Sequence, residues 1–111
     1  MGVLMEYIGS ILYDDALLKE KQEIIIFGAG MYGKKILHYL ERNGVKENVA
    51  AFCDSSEKMQ GTSVENVPVY DVEEAWKRYP EAIFLVSGGY MDEMYRILRS
   101  KGIGRVHMLF F

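Results

Sequence analysis

Three features predict a three-layer α/β fold in which about five parallel strands are covered by helices on both faces. From Glu23 onward, short apolar runs rich in β-branched residues alternate with helical patterns. The run Ile24-Ile25-Ile26-Phe27 is continuously apolar, as a strand buried on both sides requires. A glycine-rich turn then joins that run directly to an amphipathic helix. The chain has 111 residues, the length of a single domain.

The elements follow in order. The first strand spans Glu23 to Phe27. A helix from about Met31 to Asn43 places Gly33, Ile36, Leu37 and Leu40 on one core-facing stripe and ends at Asn43-Gly44. Val49 to Cys53 reads as the second strand and Val67 to Tyr70 as a short third. Asp71 is placed to cap a helix from Val72 to Tyr79, with Glu74 three residues on and Pro80 beyond the end. Its buried side should be Val72, Ala75, Trp76 and Tyr79. Ala82 to Val86 forms the fourth strand. The third helix, Tyr90 to Lys101, buries Met91, Met94, Ile97 and Leu98 and ends in cationic Arg99 and Lys101 before Gly102. Arg105 to Phe110 closes the sheet, whose expected order is 3-2-1-4-5.

Residues 1–21 stand outside this alternation. Leu4, Tyr7, Ile8, Ile11 and Leu12 share a helical spacing, and Asp14 or Asp15 could cap a second short helix over Ala16 to Glu20. The expected organisation is therefore a helical arm, 1–21, and one domain, 22–111. The arm's apolar stripe and the terminal Met108-Leu109-Phe110-Phe111 supply more apolar surface than such a domain needs, which points to a homodimer with both segments near the interface.

Composition narrows the function. A net charge of −3, from 16 acidic and 13 basic side chains, provides no basic field, so no nucleic-acid partner is expected. The single cysteine, Cys53, and two histidines give neither an internal disulfide nor a zinc site of the usual ligand count. The longest apolar runs fall far short of the roughly 20 residues that span a bilayer, and the start lacks a basic segment, so neither membrane attachment nor a signal peptide is expected. These features fit a cytoplasmic protein.

Gly28-Ala29-Gly30-Met31-Tyr32-Gly33 matches G-x-G-x-x-G between a buried strand and a helix. In that setting the first glycine permits the tight turn, the second lets backbone approach a pyrophosphate, and the third lets the helix pack closely on the strand. The helix amino end offers N–H groups and a positive dipole to an anion. Asp54 follows the second strand, where an acid can accept hydrogen bonds from both hydroxyls of an adenosine ribose; it could equally start the turn Asp54-Ser55-Ser56. Lys58 could pair with a phosphate or simply be solvated. The acid favours NAD over NADP. Ser87-Gly88-Gly89 ends the fourth strand, beside the first at the point where the winding reverses, and serves either a ligand or a helix cap.

Several catalytic arrangements are absent. No tyrosine has a lysine four residues later, and no P-loop sequence occurs. His38 falls on the outer face of the first helix, and His107 within the last strand reads as structural. Cys53 and the seven methionines suit the core.

The order Ile24-Ile25-Ile26-Phe27-Gly28-Ala29-Gly30, Leu37 and Leu40, Ala51-Phe52-Cys53-Asp54, Gly61 and Val67-Pro68-Val69 resembles the small Rossmann-like N-terminal modules of bacterial surface-polysaccharide enzymes. These precede nucleotide-sugar dehydratases, sugar acyltransferases, and some methyltransferases and glycosyltransferases. The likeness covers about residues 22 to 110. Together with the glycine loop and Asp54, it points to a noncatalytic module for NAD or a nucleotide sugar, working with an attached or separate catalytic domain in polysaccharide or sugar modification. The expected binding set is Gly28, Ala29, Gly30, Met31, Tyr32, Gly33, Asp54, Ser55, Ser87, Gly88 and Gly89, with no catalytic residue and no metal. The alternative is an interaction module whose glycines serve only packing, marked by Tyr32 or Met31 filling the pyrophosphate position. A stand-alone oxidoreductase is disfavoured because no acid/base pair accompanies the glycines.

Overall fold

A computed structural model describes residues 22–109, so the arm expected over residues 1–21, and the strand end expected at Phe110, lie outside the described residues. The elements are β1 (Ile24–Phe27), α1 (Met31–Arg42), a 3-10 turn (Lys46–Asn48), β2 (Val49–Cys53), β3 (Ser63–Val64), β4 (Val67–Tyr70), α2 (Val72–Arg78), β5 (Ile83–Ser87), α3 (Met91–Ser100) and β6 (Val106–Leu109). The sheet runs β3-β4-β2-β1-β5-β6. Its five parallel strands keep the expected order, with β1 pairing β2 on one side and β5 on the other.

β1 shows why a run without alternation belongs at the centre. All four of its residues are buried. Ile24 and Ile26 pack with Ile36, Leu37 and Leu40 of α1 and with Phe52. Ile25 and Phe27 face the opposite side, with Ala75 of α2, Leu98 of α3 and Phe84. Successive strand side chains point to opposite faces, so a strand with helices on both sides must be apolar at every position. α1 thus covers one face, and α2 and α3 the other.

The helix ends are built as their sequences indicate. Beyond α1, the Gly44 N–H donates to Glu41 C=O and the Val45 N–H to Leu40 C=O, each at 3.0 Å. Gly102 and Ile103 repeat the pattern after α3, donating to Arg99 and Leu98 at 3.0 Å each. Both are Schellman closures, and in each the flanking apolar pair, Val45 with Leu40 or Ile103 with Leu98, joins the same core cluster. Trp76 and Tyr79 pack against the core as expected but remain partly buried.

One correction concerns the sheet's edge, where the described residues form six strands in place of the expected five. β3 pairs antiparallel with β4, Ser63 opposite Pro68 and Val64 opposite Val67. The connecting Glu65 and Asn66 have φ of 51° and 70°, the two-residue turn whose twist suits a hairpin. No helix follows β2. Residues 54–62 form turns instead, with Met59 reaching back onto the α1-side core. The Glu65 carboxylate meets the His38 Nε2 at 2.7 Å, so the solvent face of α1 is tied to this hairpin. Among the described residues no helix is long and apolar enough to cross a membrane.

Candidate functional site

The carboxyl ends of β1, β2 and β5 bring the expected residues to one edge of the sheet. Leaving β1, Gly28 turns with φ +98°, a conformation that side-chain-bearing residues rarely adopt, and its N–H donates to Cys53 C=O at 2.7 Å. A Cβ at Gly33 would lie 1.9 Å from the Gly28 carbonyl oxygen, so the helix can seat this close only without a side chain. Gly30 is the opposite case. A Cβ there would meet nothing within 4 Å, which leaves open space against the backbone at the start of α1. Gly30 caps that helix without a side-chain hydrogen bond, and the first turn holds no acidic residue. The arrangement leaves peptide N–H groups and the positive end of the helix facing outward.

Asp54 starts the turn that its position suggested and also makes a bond to the glycine loop that the sequence did not indicate. Its Oδ1 accepts from the Ser56 N–H and its Oδ2 from the Ala29 N–H, each at 2.8 Å. The first bond starts the turn after β2, and the second fastens that turn to the glycine loop. The Gln60 amide donates to the Asp54 carbonyl at 2.9 Å, holding the turn from its far side. A carboxylate has about four lone-pair sites, so two remain for a ligand. Beside it, Cys53 is buried, and desolvation, with smaller contributions from the Asp54 and Asp71 charges, pushes its thiol far above the ordinary range. The thiol is consequently neutral and unreactive, a core hydrophobe as its place in the strand implied.

A cleft of about 310 Å³ opens between this turn and α3. Phe27, Gly28, Asp54 and Ser55 line one side, and Tyr90, Glu93, Met94 and Ile97 the other. Of these side chains two are carboxylates and none is cationic. A second hollow of about 310 Å³ continues past Asp54 and Ser55 to Gln60, Asp71, Glu73 and Lys101. A hollow of about 380 Å³ by Gln22, Glu47 and Asn48 lies at the opposite edge of the sheet. Ligands of open α/β sheets bind outside the carboxyl ends, so the first cleft is the candidate.

The second glycine loop divides its expected residues. Ser87 is buried, and its hydroxyl donates to the Leu109 carbonyl at 2.9 Å, so it ties β5 to β6 instead of facing the cleft. Gly88 has φ +95° and lies beneath the Tyr32 ring, whereas a Cβ at Gly89 would meet nothing within 4 Å. Met31, Tyr32 and Tyr90 are the large hydrophobic side chains left exposed among the described residues, and all three flank the glycine loops. Lys58 is exposed on its turn.

The cleft wall from α3 was not in the expected set. Met94 and Ile97 carried the periodicity of a core stripe, and the stripe does pack on the core, but these two side chains also line the cleft. Tyr90, an aromatic directly after two glycines, was the available signal.

Comparison with known proteins places this geometry. The model of the CoA binding domain family matches residues 19–108. The redox-sensing transcriptional repressor Rex of Streptococcus suis is 32% identical over 81 residues, covering 71% of this chain and 43% of that protein. The chain therefore spans less than half the length of that curated relative. Among solved structures, RSP, a Rex-family repressor, superposes with a TM-score of 0.63 at 20% identity over 92% of this chain and 60% of that one. RSP in complex with beta-NADH gives 0.60 at 22% identity over 89% and 52%. UDP-D-quinovosamine 4-dehydrogenase from Vibrio fischeri gives 0.59 at 19% identity, over 78% and 75%. These likenesses establish the Rossmann-like fold.

Proposed function

The chain belongs to the CoA binding domain family, a Rossmann-like nucleotide-binding fold, and on that premise we propose that it binds NAD(H) without transforming it. The observation that carries this reading is Asp54, held at 2.8 Å on the Ala29 N–H between the cleft and the open face of Gly30. Asp54 would take the adenosine ribose hydroxyls. The uncapped amino end of α1 beside Gly30 would take the pyrophosphate. Tyr90, Met94 and Ile97 offer an apolar wall for adenine.

The carboxylates select among adenine nucleotides. CoA carries a phosphate on the adenosine ribose 3′-oxygen and NADP one on the 2′-oxygen. Either would stand against Asp54, with Glu93 in the same cleft and no cation in its lining. Like charges at close range disfavour such a ligand, whereas the bare diol of NAD gains hydrogen bonds. A relative crystallised with beta-NADH supports the same choice.

Covalent chemistry is not part of this reading, since the cleft lining holds two carboxylates and Tyr90 but neither a lysine nor a histidine to pair with that tyrosine. A uridine diphosphate sugar also presents a free ribose diol, so service to a polysaccharide-modifying enzyme would use the same residues. The name of the curated relative adds a third setting, transcriptional repression, which this chain's net charge of −3 does not favour without a further basic partner. The apolar spacing of residues 4–12 supports a homodimer, to be checked by light scattering on the intact chain and on one starting at Lys21.

Calorimetric titration of the full chain with NADH, NADPH, CoA and UDP-N-acetylglucosamine tests the proposal. Binding of NADH, with NADPH and CoA each weaker by about tenfold or more, is expected. Tighter binding of CoA would overturn the selection argument, and tighter binding of the UDP-sugar would move the module to the polysaccharide setting.

A further inference from the structure

We propose that Tyr32 makes this an adenosine-diphosphate site that does not read the nicotinamide ring, so that ADP-ribose, NAD+ and NADH bind alike. The inference rests on the NAD(H) reading above and specifies which half of the ligand the chain recognises. A dinucleotide lies across the crevice where the winding of the sheet reverses. With its adenosine ribose at the acid ending β2 and its pyrophosphate at the first glycine loop, its second nucleoside continues into that crevice. Here the reversal falls between β1 and β5, whose ends carry the Gly28 and Gly88 loops.

Tyr32 closes the gap between these loops. A Cβ built on Gly88 would stand 2.8 Å from Tyr32 Cδ2 and 3.0 Å from Cγ, so the ring rests directly on the Gly88 backbone. It can do so only because Gly88 lacks a side chain. The Lys35 ammonium lies 5.2 Å from the ring centroid, within cation–π range, and adds to the hold. By contrast, nothing stands within 4 Å of a Cβ at Gly30. The position suited to the pyrophosphate is therefore open, while the space just beyond it is filled by an aromatic ring about the size of nicotinamide. The ring is still 41% exposed, so it is a cover over the crevice and not a core side chain.

The chemical consequence is specific. NAD+ and NADH differ only in the nicotinamide ring, and ADP-ribose lacks it. A nicotinamide entering the crevice must first displace Tyr32 from Gly88, and its own contacts are offset by those lost. Discrimination between the redox states has no structural basis while Tyr32 stays in place.

Titration of the full chain with ADP-ribose, NAD+ and NADH is the test, repeated on Tyr32→Ala and Tyr32→Phe. The expected result is affinities within about threefold of one another in the unmodified chain and in Tyr32→Phe. Tyr32→Ala should bind NAD+ or NADH at least about tenfold more tightly than ADP-ribose, because the vacated crevice admits the ring. A preference above about threefold for either dinucleotide over ADP-ribose in the unmodified chain would overturn the inference while leaving NAD(H) binding intact. So would a Tyr32→Ala variant that shifts all three ligands equally. Binding of none of the three would overturn the NAD(H) reading and this inference together.

Discussion

The amino ends of α1 and α2 lie on the same edge of the sheet, one following β1 and the other β4, yet they are finished in opposite ways. α2 is closed by its own sequence: the Asp71 carboxylate accepts from the Glu74 N–H at 2.7 Å, and Glu73 and Glu74 place negative charge in the first turn. α1 begins at Gly30 with no capping side chain and no acid in its first turn. α3 is also uncapped, but Asp92 and Glu93 occupy its first turn. Among the described helices only α1 combines an uncapped amino end with a first turn free of acids, and it adjoins open space at Gly30. Exposed helix donors are met by water until a ligand replaces it, so under the proposed reading the amino end of α1 is the better placed of the two for an anion.

The largest test of this contrast concerns how α1 is seated. Gly33→Val would drive a branched side chain into the Gly28 carbonyl oxygen, which already lies within 1.9 Å of a Cβ position. A loss of about 3 kcal/mol in urea unfolding is expected, the upper range for overpacking. A loss below about 1 kcal/mol would mean that the loop relaxes easily and that the close approach is not what holds α1 in place.

Gly30→Asp converts the amino end of α1 into a copy of that of α2. Its Cβ meets nothing within 4 Å, and its φ of −90° lies outside the left-handed region that favours glycine. Stability should change by only a few tenths of a kcal/mol, because an aspartate cap exceeds glycine by little. Nucleotide affinity should fall at least about a hundredfold, since a carboxylate would occupy the anion's place. Gly30→Val should lose binding likewise through bulk alone. Retained affinity in both variants would move the site away from this loop.

Asp54→Ala removes the acceptor for the ligand and for Ala29 together. Binding of NADH is expected to weaken by about 1.5–3 kcal/mol, the range for hydrogen bonds to a charged group. The gap between NADH and NADPH should narrow in the same variant, because the repelling carboxylate is gone. An unchanged gap would assign the selection to Glu93.

Much of this edge was legible because each signal was local. A continuous apolar run, three spaced glycines and an acid after the next strand each have one mechanical reason to occur together, and Gly28, Gly33 and Asp54 sit as that reasoning places them. What could not be read required distance in space. Tyr32 belongs to the motif by sequence, but whether its ring points into solvent or onto Gly88 depends on where a loop far along the chain arrives. Met94 and Ile97 show the same limit, for a helical period separates a buried face from a wet one but not core from cleft. The β3–β4 hairpin escaped for another reason. Its turn puts Glu65 at φ 51°, where Asn or Gly would have announced it, and the His38 contact that Glu65 gains is invisible in one dimension.

The smallest expected effect comes from the capped helix. Asp71→Ala deletes the one side-chain hydrogen bond that closes α2 and leaves the Glu74 N–H unpaired. Loss of such a cap costs about 1 kcal/mol. The rest of α2 should stay in place, because Val72 and Ala75 remain buried and the Lys101 and Arg78 pairs with Glu73 and Glu74 do not involve Asp71. Asp71 also stands apart from the cleft between Asp54 and α3, so NADH affinity should hold within about threefold while the unfolding midpoint falls. The pattern is the reverse of Gly30→Asp, which should keep its midpoint and lose its ligand. If Asp71→Ala instead weakened NADH as much as Asp54→Ala does, the ligand would extend into the hollow shared by Asp54, Asp71 and Lys101, and the amino end of α2 would belong to the site as well.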